Sequence, residues 1–246
     1  MQNKVALVTG GAKRVGAAIV KRLHNEGMNV MIHFHHSQSE AHALRDELNA
    51  LRKSSASTMQ TDLLQIQDLP KLIEYTLKTF GRLDALVNNA STFQATPIGS
   101  INETNWNDLI GTNLKVPLFL SQAAAPALKQ YKGCIVNIID IHSERPLKNY
   151  VVYSIAKSAL LGLTRSLSIE LGPEVRVNGI SPGVAAWPVD EGHFDAQEQT
   201  RIVNQTALKR PGSPEEMAGA VKFLVCDATY MTGQIINVDG GRSVSL

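Results

Sequence analysis

A chain of 246 residues that is 43% hydrophobic and 19% charged can bury a sizeable core and is neither fibrous nor disordered in composition. Its formal net charge of +2 carries no signal for a nucleic-acid or anionic-membrane partner, and its two cysteines, Cys134 and Cys226, make neither a disulfide framework nor a metal-ligand spacing. No apolar stretch approaches the ~20 residues of a membrane span and the N-terminus runs almost directly into a strand pattern, so a cytoplasmic chain without leader, membrane anchor or metal is expected.

The first β-rich run, Lys4–Thr9, ends in Gly10-Gly11-Ala12-Lys13-Arg14-Val15-Gly16, which opens the helical pattern Arg14–Glu26. Glycines in that place let the backbone turn tightly and approach a pyrophosphate at the helix N-terminus, so Gly10, Arg14, Val15 and Gly16 are candidate nucleotide ligands. Arg14 crowds the turn, yet offers a guanidinium to phosphate oxygens. The second run, Asn29–Phe34, leads into His35-His36-Ser37, with no acid before Glu40. An acid at this point holds a free ribose 2′-hydroxyl and repels a 2′-phosphate; imidazoles and a hydroxyl can donate to the phosphate, so NADPH is expected over NADH. A helical stretch, Ser39–Arg52, precedes a weaker strand, Ser57–Thr61, which ends at Asp62.

The helical pattern Leu69–Phe80 leads to the strand Ala85–Asn88 and then to Asn89-Ala90-Ser91-Thr92-Phe93. Thr104–Tyr131 reads as one long helix containing Asn113, and Gly133–Ile139 is a strand ending at Asp140. On the next helix, Tyr153–Leu171, Tyr153 and Lys157 are four residues apart and share a face. An ammonium beside a phenol favours the phenolate, so Lys157 is expected to lower the pKa of Tyr153 and make it a usable proton donor near neutrality. Gly172-Pro173 stops that helix, and the strand Arg176–Ile180 runs into Ser181-Pro182-Gly183. Val184–Arg210 is the least patterned stretch and is read as a lid or substrate wall. Ser213-Pro214-Glu215-Glu216 caps the helix Pro214–Val225, and Gln234–Val238 is the seventh strand. Strand and helix in alternation predict a single domain over residues 1–246, an α/β doubly wound parallel seven-stranded sheet with helices on both faces.

Thr9, Gly10 and Gly16, the run Asn88-Asn89-Ala90, the Tyr153/Lys157 pair and Ser181-Pro182-Gly183 together resemble the short-chain dehydrogenase/reductase family over essentially the whole chain. The resemblance implies a nucleotide site of Gly10, Arg14, Val15, Gly16, His35, His36, Ser37, Asp62 (toward adenine), Asn89, Ala90, Ser91, Tyr153, Lys157, Pro182 and Gly183. It also implies that Asn113 orients Lys157 through water. Three departures narrow it: Arg14 replaces a glycine, Ser91 replaces a glycine, and Asp140 stands about thirteen residues before Tyr153, where most of the family has a catalytic serine. Ser143 is the alternative hydroxyl. A carboxylate would repel the oxyanion of a reduced ketone but suits proton delivery to nitrogen. Phe93 can stack on a flat ring. Arg14, Ser91, Phe93, Asp140 and Tyr153 thus resemble the substrate set of the pteridine reductase branch, although His36 stands where that branch often has an arginine. That branch implies a homotetramer using NADPH to reduce a pterin or folate, with Asp140, Tyr153, Lys157 and Asn113 catalytic. The rival readings are a carbonyl reductase, such as a 3-oxoacyl-carrier-protein reductase, and a non-catalytic NADPH-binding sensor.

Overall fold

The computed structural model describes residues 1–185, 187 and 194–244. Its strands are β1 (Val5–Val8), β2 (Asn29–Phe34), β3 (Ala56–Gln60), β4 (Ala85–Asn88), β5 (Cys134–Ile138), β6 (Arg176–Pro182) and β7 (Ile235–Val238). All pair in parallel, in the order β3-β2-β1-β4-β5-β6-β7. The helices are α1 (Arg14–Asn25), α2 (Gln38–Leu51), α3 (Leu69–Phe80), α4 (Glu103–Ile110), α5 (Val116–Gln130), α6 (Val151–Glu170), α7 (Ala196–Asn204) and α8 (Pro214–Lys222). Among the described residues no helix is long and apolar enough to cross a membrane.

Successive strand residues point to opposite faces, and both faces are covered. On one face Ala6, Val8, Val30, Ile32 and Val87 pack with Ile19 and Leu23 of α1, Leu44 and Leu48 of α2, and Met217 and Val221 of α8. On the other, Val5, Leu7, Met31, Leu86 and Ile135 pack with Leu69 and Leu72 of α3 and Leu120 and Leu128 of α5. Burying one such Leu or Ile contributes about 1.5–3 kcal/mol relative to exposure, so the two layers hold the sheet from both sides.

The chain leaves β1 toward β2 and β3, then returns to place β4 on the other side of β1. This reversal opens a crevice at the carboxyl ends of the strands, where ligands of open α/β sheets sit. Gly10 follows β1, Asp62 follows β3, Asn89 follows β4, Asp140 lies just past β5, and Gly183 follows β6.

The helix predicted over Thr104–Tyr131 forms as one helical run that holds a single wide turn: α4 and α5 are joined without interruption by a π-type turn, Gly111–Lys115, in which the Val116 amide bonds back to the Gly111 carbonyl. Pro117 accounts for the wide turn, because it has no N–H to return to the carbonyl of Asn113. The stretch Val184–Arg210 contains α7; residues 186 and 188–193 of the expected lid lie outside the described residues. The signal for α7 was present. Asp195 is its N-cap, accepting from the Glu198 amide at 2.8 Å. Ser213 and Glu216 form the predicted cap of α8, as a reciprocal capping box.

Candidate active site

The crevice is a cavity of about 880 Å³. At its floor, Gly10 has φ +60° and a Cβ on Gly16 would stand 2.1 Å from the Gly10 carbonyl oxygen, so both positions require glycine. Asn89 clamps this turn: its side-chain amide donates to the carbonyls of Thr9 (2.8 Å) and Gly10 (3.1 Å). The Thr9 hydroxyl accepts from the amides of Asn89 (2.9 Å) and Ala90 (3.0 Å), joining the ends of β1 and β4. Val15, Pro182 and Gly183 line the same cavity. Arg14 also lines it, and its guanidinium donates to the Trp187 carbonyl at 2.8 Å.

The histidine run divides into two roles. His35 and His36 line the cavity with their ring centroids 3.7 Å apart. Ser37 instead precedes α2 and does not line the cavity. His33 points inward: its Nδ1 accepts from the Gly10 amide at 3.1 Å and its Nε2 is 2.9 Å from the Thr61 carbonyl. Burial pushes its pKa down to about 4, so it is a neutral strut between the glycine turn and the end of β3. Sequence reasoning missed this function, since nothing in a row of histidines says which ring turns inward. Asp62 accepts from the Leu64 amide at 3.0 Å and from Gln65 at 3.2 Å. Burial works to raise its pKa, but these hydrogen bonds and the nearby His35 and His36 hold it below the usual carboxylate range.

At the chemical end, the Tyr153 hydroxyl donates to Asp140 Oδ2 at 2.8 Å, and Asp140 Oδ1 accepts from the His142 amide at 2.8 Å. Lys157 Nζ donates to the Ile138 carbonyl at 3.0 Å and lies 5.6 Å from the centroid of the Tyr153 ring. The expected lowering of the Tyr153 pKa is corrected. Burial, then the charge of Asp140 and the bond to it, push Tyr153 well above the ordinary phenol value. Burial pushes Lys157 down to about 8. Tyr153 is therefore a protonated donor at neutral pH. Ser143, the alternative hydroxyl, is buried and does not line the cavity.

Asn113 lies in the π-type turn, and its side chain is committed locally. Its amide donates to the carbonyls of Thr92 and Leu109, both at 3.0 Å, and its oxygen accepts from Ser91 at 2.6 Å. It holds the Ser91–Thr92 segment against the helix and does not line the cavity.

Aromatic rings form one wall. Phe93 stacks on Tyr150 with centroids 4.5 Å apart and meets Tyr153 edge-on at 4.8 Å. Phe194 lies 6.4 Å from Phe93, near-parallel at 19°, and Trp187 packs beside Phe194 at 5.7 Å. Arg242, from the turn after β7, also lines the cavity. Neither Trp187, Phe194 nor Arg242 carries a local sequence signal; each arrives through tertiary packing.

A seven-stranded parallel sheet with a glycine turn after β1 and a buried Tyr/Lys pair facing one crevice defines a nucleotide-dependent oxidoreductase architecture. The family profile described as Enoyl-(Acyl carrier protein) reductase matches residues 10–243. The chain is 38% identical to Pteridine reductase 1 of Leishmania tarentolae, over 98% of this chain and 96% of that protein. It is 34% identical to a 3-oxoacyl-(acyl-carrier-protein) reductase of Synechocystis sp., over 97% and 96% of the two chains. It is 30% identical to the Glucose and ribitol dehydrogenase of Daucus carota, over 100% and 87%. The chain belongs to the short-chain dehydrogenase/reductase family of oxidoreductases.

Proposed function

We propose that this protein is an NADPH-dependent pteridine reductase that converts a dihydropterin to its tetrahydro form in the cytoplasm. The observation that carries the reading is the bond from Tyr153 to Asp140 in the lining of the cavity, in a place where ketone reducers need a neutral hydroxyl. The likeness to Pteridine reductase 1 supports it.

The residues present fit a nicotinamide dinucleotide. Gly10 and Gly16 leave room for close backbone approach, Asn89 and Thr9 hold that turn rigid, and His35 and His36 offer donors to a 2′-phosphate. Arg14 and Ser91 line the cavity, in reach of both nucleotide and substrate on this reading. When bound, the reduced nicotinamide supplies hydride to the carbon of a ring C=N bond. Phe93 stacks on the flat ring and Trp187 and Phe194 exclude water from it. Burial keeps Tyr153 protonated, and its proton passes through Asp140 to the ring nitrogen. Lys157, one turn along α6, favours the phenolate left behind. Asn113 acts through the Ser91–Thr92 segment that it anchors. Exposed Leu118, Ile155 and Ile169 on α5 and α6 offer apolar surface to a homotetramer.

The test is NADPH oxidation with dihydrobiopterin, dihydromonapterin, dihydrofolate and a small 3-oxo thioester. Turnover of a pterin by the wild type, with Asp140→Ser slower by about 10²-fold or more for lost proton transfer, is the expected result. Turnover of the 3-oxo thioester alone would establish the carbonyl-reductase reading, which the Synechocystis relative favours. NADPH binding without turnover of any of them would establish a sensor.

A further inference from the structure

The turn that follows β7 aims one cation into the catalytic cavity. Gly240 and Gly241 have φ of +63° and +80°, a conformation that favours glycine. The Asp239 carboxylate ties the turn by accepting from the amides of Gly241 (2.9 Å) and Ser243 (2.7 Å). A Cβ on Gly241 would stand 2.8 Å from the Cβ of Ala207, so the turn is seated on the segment after α7. Arg242 therefore projects from a pinned backbone, and it lines the same cavity as Asp140, Tyr153, Phe194 and Ile202.

Its guanidinium forms no hydrogen bond or ion pair with another described residue. The charged groups around it are Asp140, Arg201, Asp239 and Glu198. Every one of these acids is already engaged elsewhere. Asp140 accepts from Tyr153 and the His142 amide, Asp239 from two amides of its own turn, and Glu198 from Arg201 at 2.5 and 2.7 Å. A half-buried guanidinium without a hydrogen-bond acceptor has lost water and has only the charges of already engaged acids in exchange, a cost that an anionic ligand can offset. Burial pushes its pKa down, in keeping with that loss of water.

We propose that Arg242 receives a carboxylate carried on the substrate's side chain, so that the preferred substrate is a dihydropterin with an acidic tail and not one with a neutral polyol tail. This rests on the pterin reading of the site and specifies the substrate within it. Phe93 holds the ring at the reacting end, and Arg242 takes the tail where the cavity reaches Ile202 and α7.

The experiment measures kcat and KM for dihydrofolate and dihydrobiopterin at saturating NADPH, for the wild type, Arg242→Gln and Arg242→Lys. The wild type should prefer dihydrofolate in kcat/KM. Arg242→Gln should raise KM for dihydrofolate by about tenfold or more, the effect of one lost charge-assisted hydrogen bond, with kcat within about threefold. KM for dihydrobiopterin and for NADPH should stay within about twofold, and Arg242→Lys should recover part of the loss because it keeps the charge without the planar fork. Equal losses on both pterins, no loss on either, or a raised KM for NADPH would each overturn the assignment while leaving pterin reduction intact. Failure of the wild type to reduce either pterin would overturn the pterin reading itself, and this inference with it. A melting curve of Arg242→Gln with NADPH that matches the wild type separates these outcomes from misfolding.

Discussion

His33 shows how a single ring can be both a structural strut and a source of pH dependence. Its folded pKa of about 4 lies below the ordinary 6.5 because burial disfavours the imidazolium. Between those values the unfolded chain binds a proton that the folded chain does not, so stability rises with pH through this window and falls on acidification. The full span is worth about 3 kcal/mol at 1.36 kcal/mol per pH unit. Urea unfolding at pH 7 and pH 4 should show a smaller loss for His33→Asn, whose amide can accept from Gly10 and donate to Thr61 without titrating. If variant and wild type lose equal stability, His33 is not the titrating strut. The i, i+4 spacing of Tyr153 and Lys157 was legible in the sequence, because helical geometry alone puts them on one face. The direction of the Tyr153 shift was not. It depends on burial and on Asp140, thirteen residues upstream, and both exist only once α6 packs over the end of β5.

Among the elements, those whose boundaries follow local periodicity are the most readable: β2, α3 and β4 have the ends that the pattern predicts. The join between α4 and α5 is different. The helix continues through the π-type turn, and only the missing N–H of Pro117 marks the change of hydrogen-bond spacing. The π-type turn Phe223–Asp227, which continues α8, ends against a distant residue. Arg176, at the start of β6, donates from Nη1 to the carbonyls of Leu224 (2.9 Å) and Ala228 (2.8 Å) and from Nη2 to Val225 (3.3 Å). These are carbonyls that a helix terminus leaves without partners, and a cation there also meets the negative end of the helix. Arg176→Ala should therefore cost about 2–3 kcal/mol by chemical denaturation, while Arg176→Lys, with a single donor head, should recover only part. A loss under about 0.5 kcal/mol, the range of ordinary surface changes, would show that water replaces the guanidinium without penalty.

For the whole molecule, the order of the strands brings residues from the ends of β1, β3, β4, β5 and β6 to one cavity. The proposed cofactor preference belongs at this scale, because His35 and His36 act only where that cavity meets the end of β2. NADPH should raise the melting temperature more than NADH at equal saturating concentration. Tenfold tighter binding corresponds to about 1.4 kcal/mol of additional stabilisation. Equal shifts for the two nucleotides would remove the phosphate role from both histidines.

The sheet, its seven strands and the ends where chemistry collects were readable from the amino-acid order, because hydrophobic periodicity and glycine placement are local consequences of backbone geometry. Gly10, Gly16, Asp140, Tyr153 and Lys157 were readable for the same reason: each sits at a strand end or a helical spacing that its neighbours define. Folding alone settled that His33 turns inward, that Asn113 is spent on Ser91, Thr92 and Leu109, and that Arg242 enters the cavity. Those outcomes depend on contacts between segments far apart in the chain. A side chain's partner across such a distance is set by how the layers pack, which no local pattern encodes.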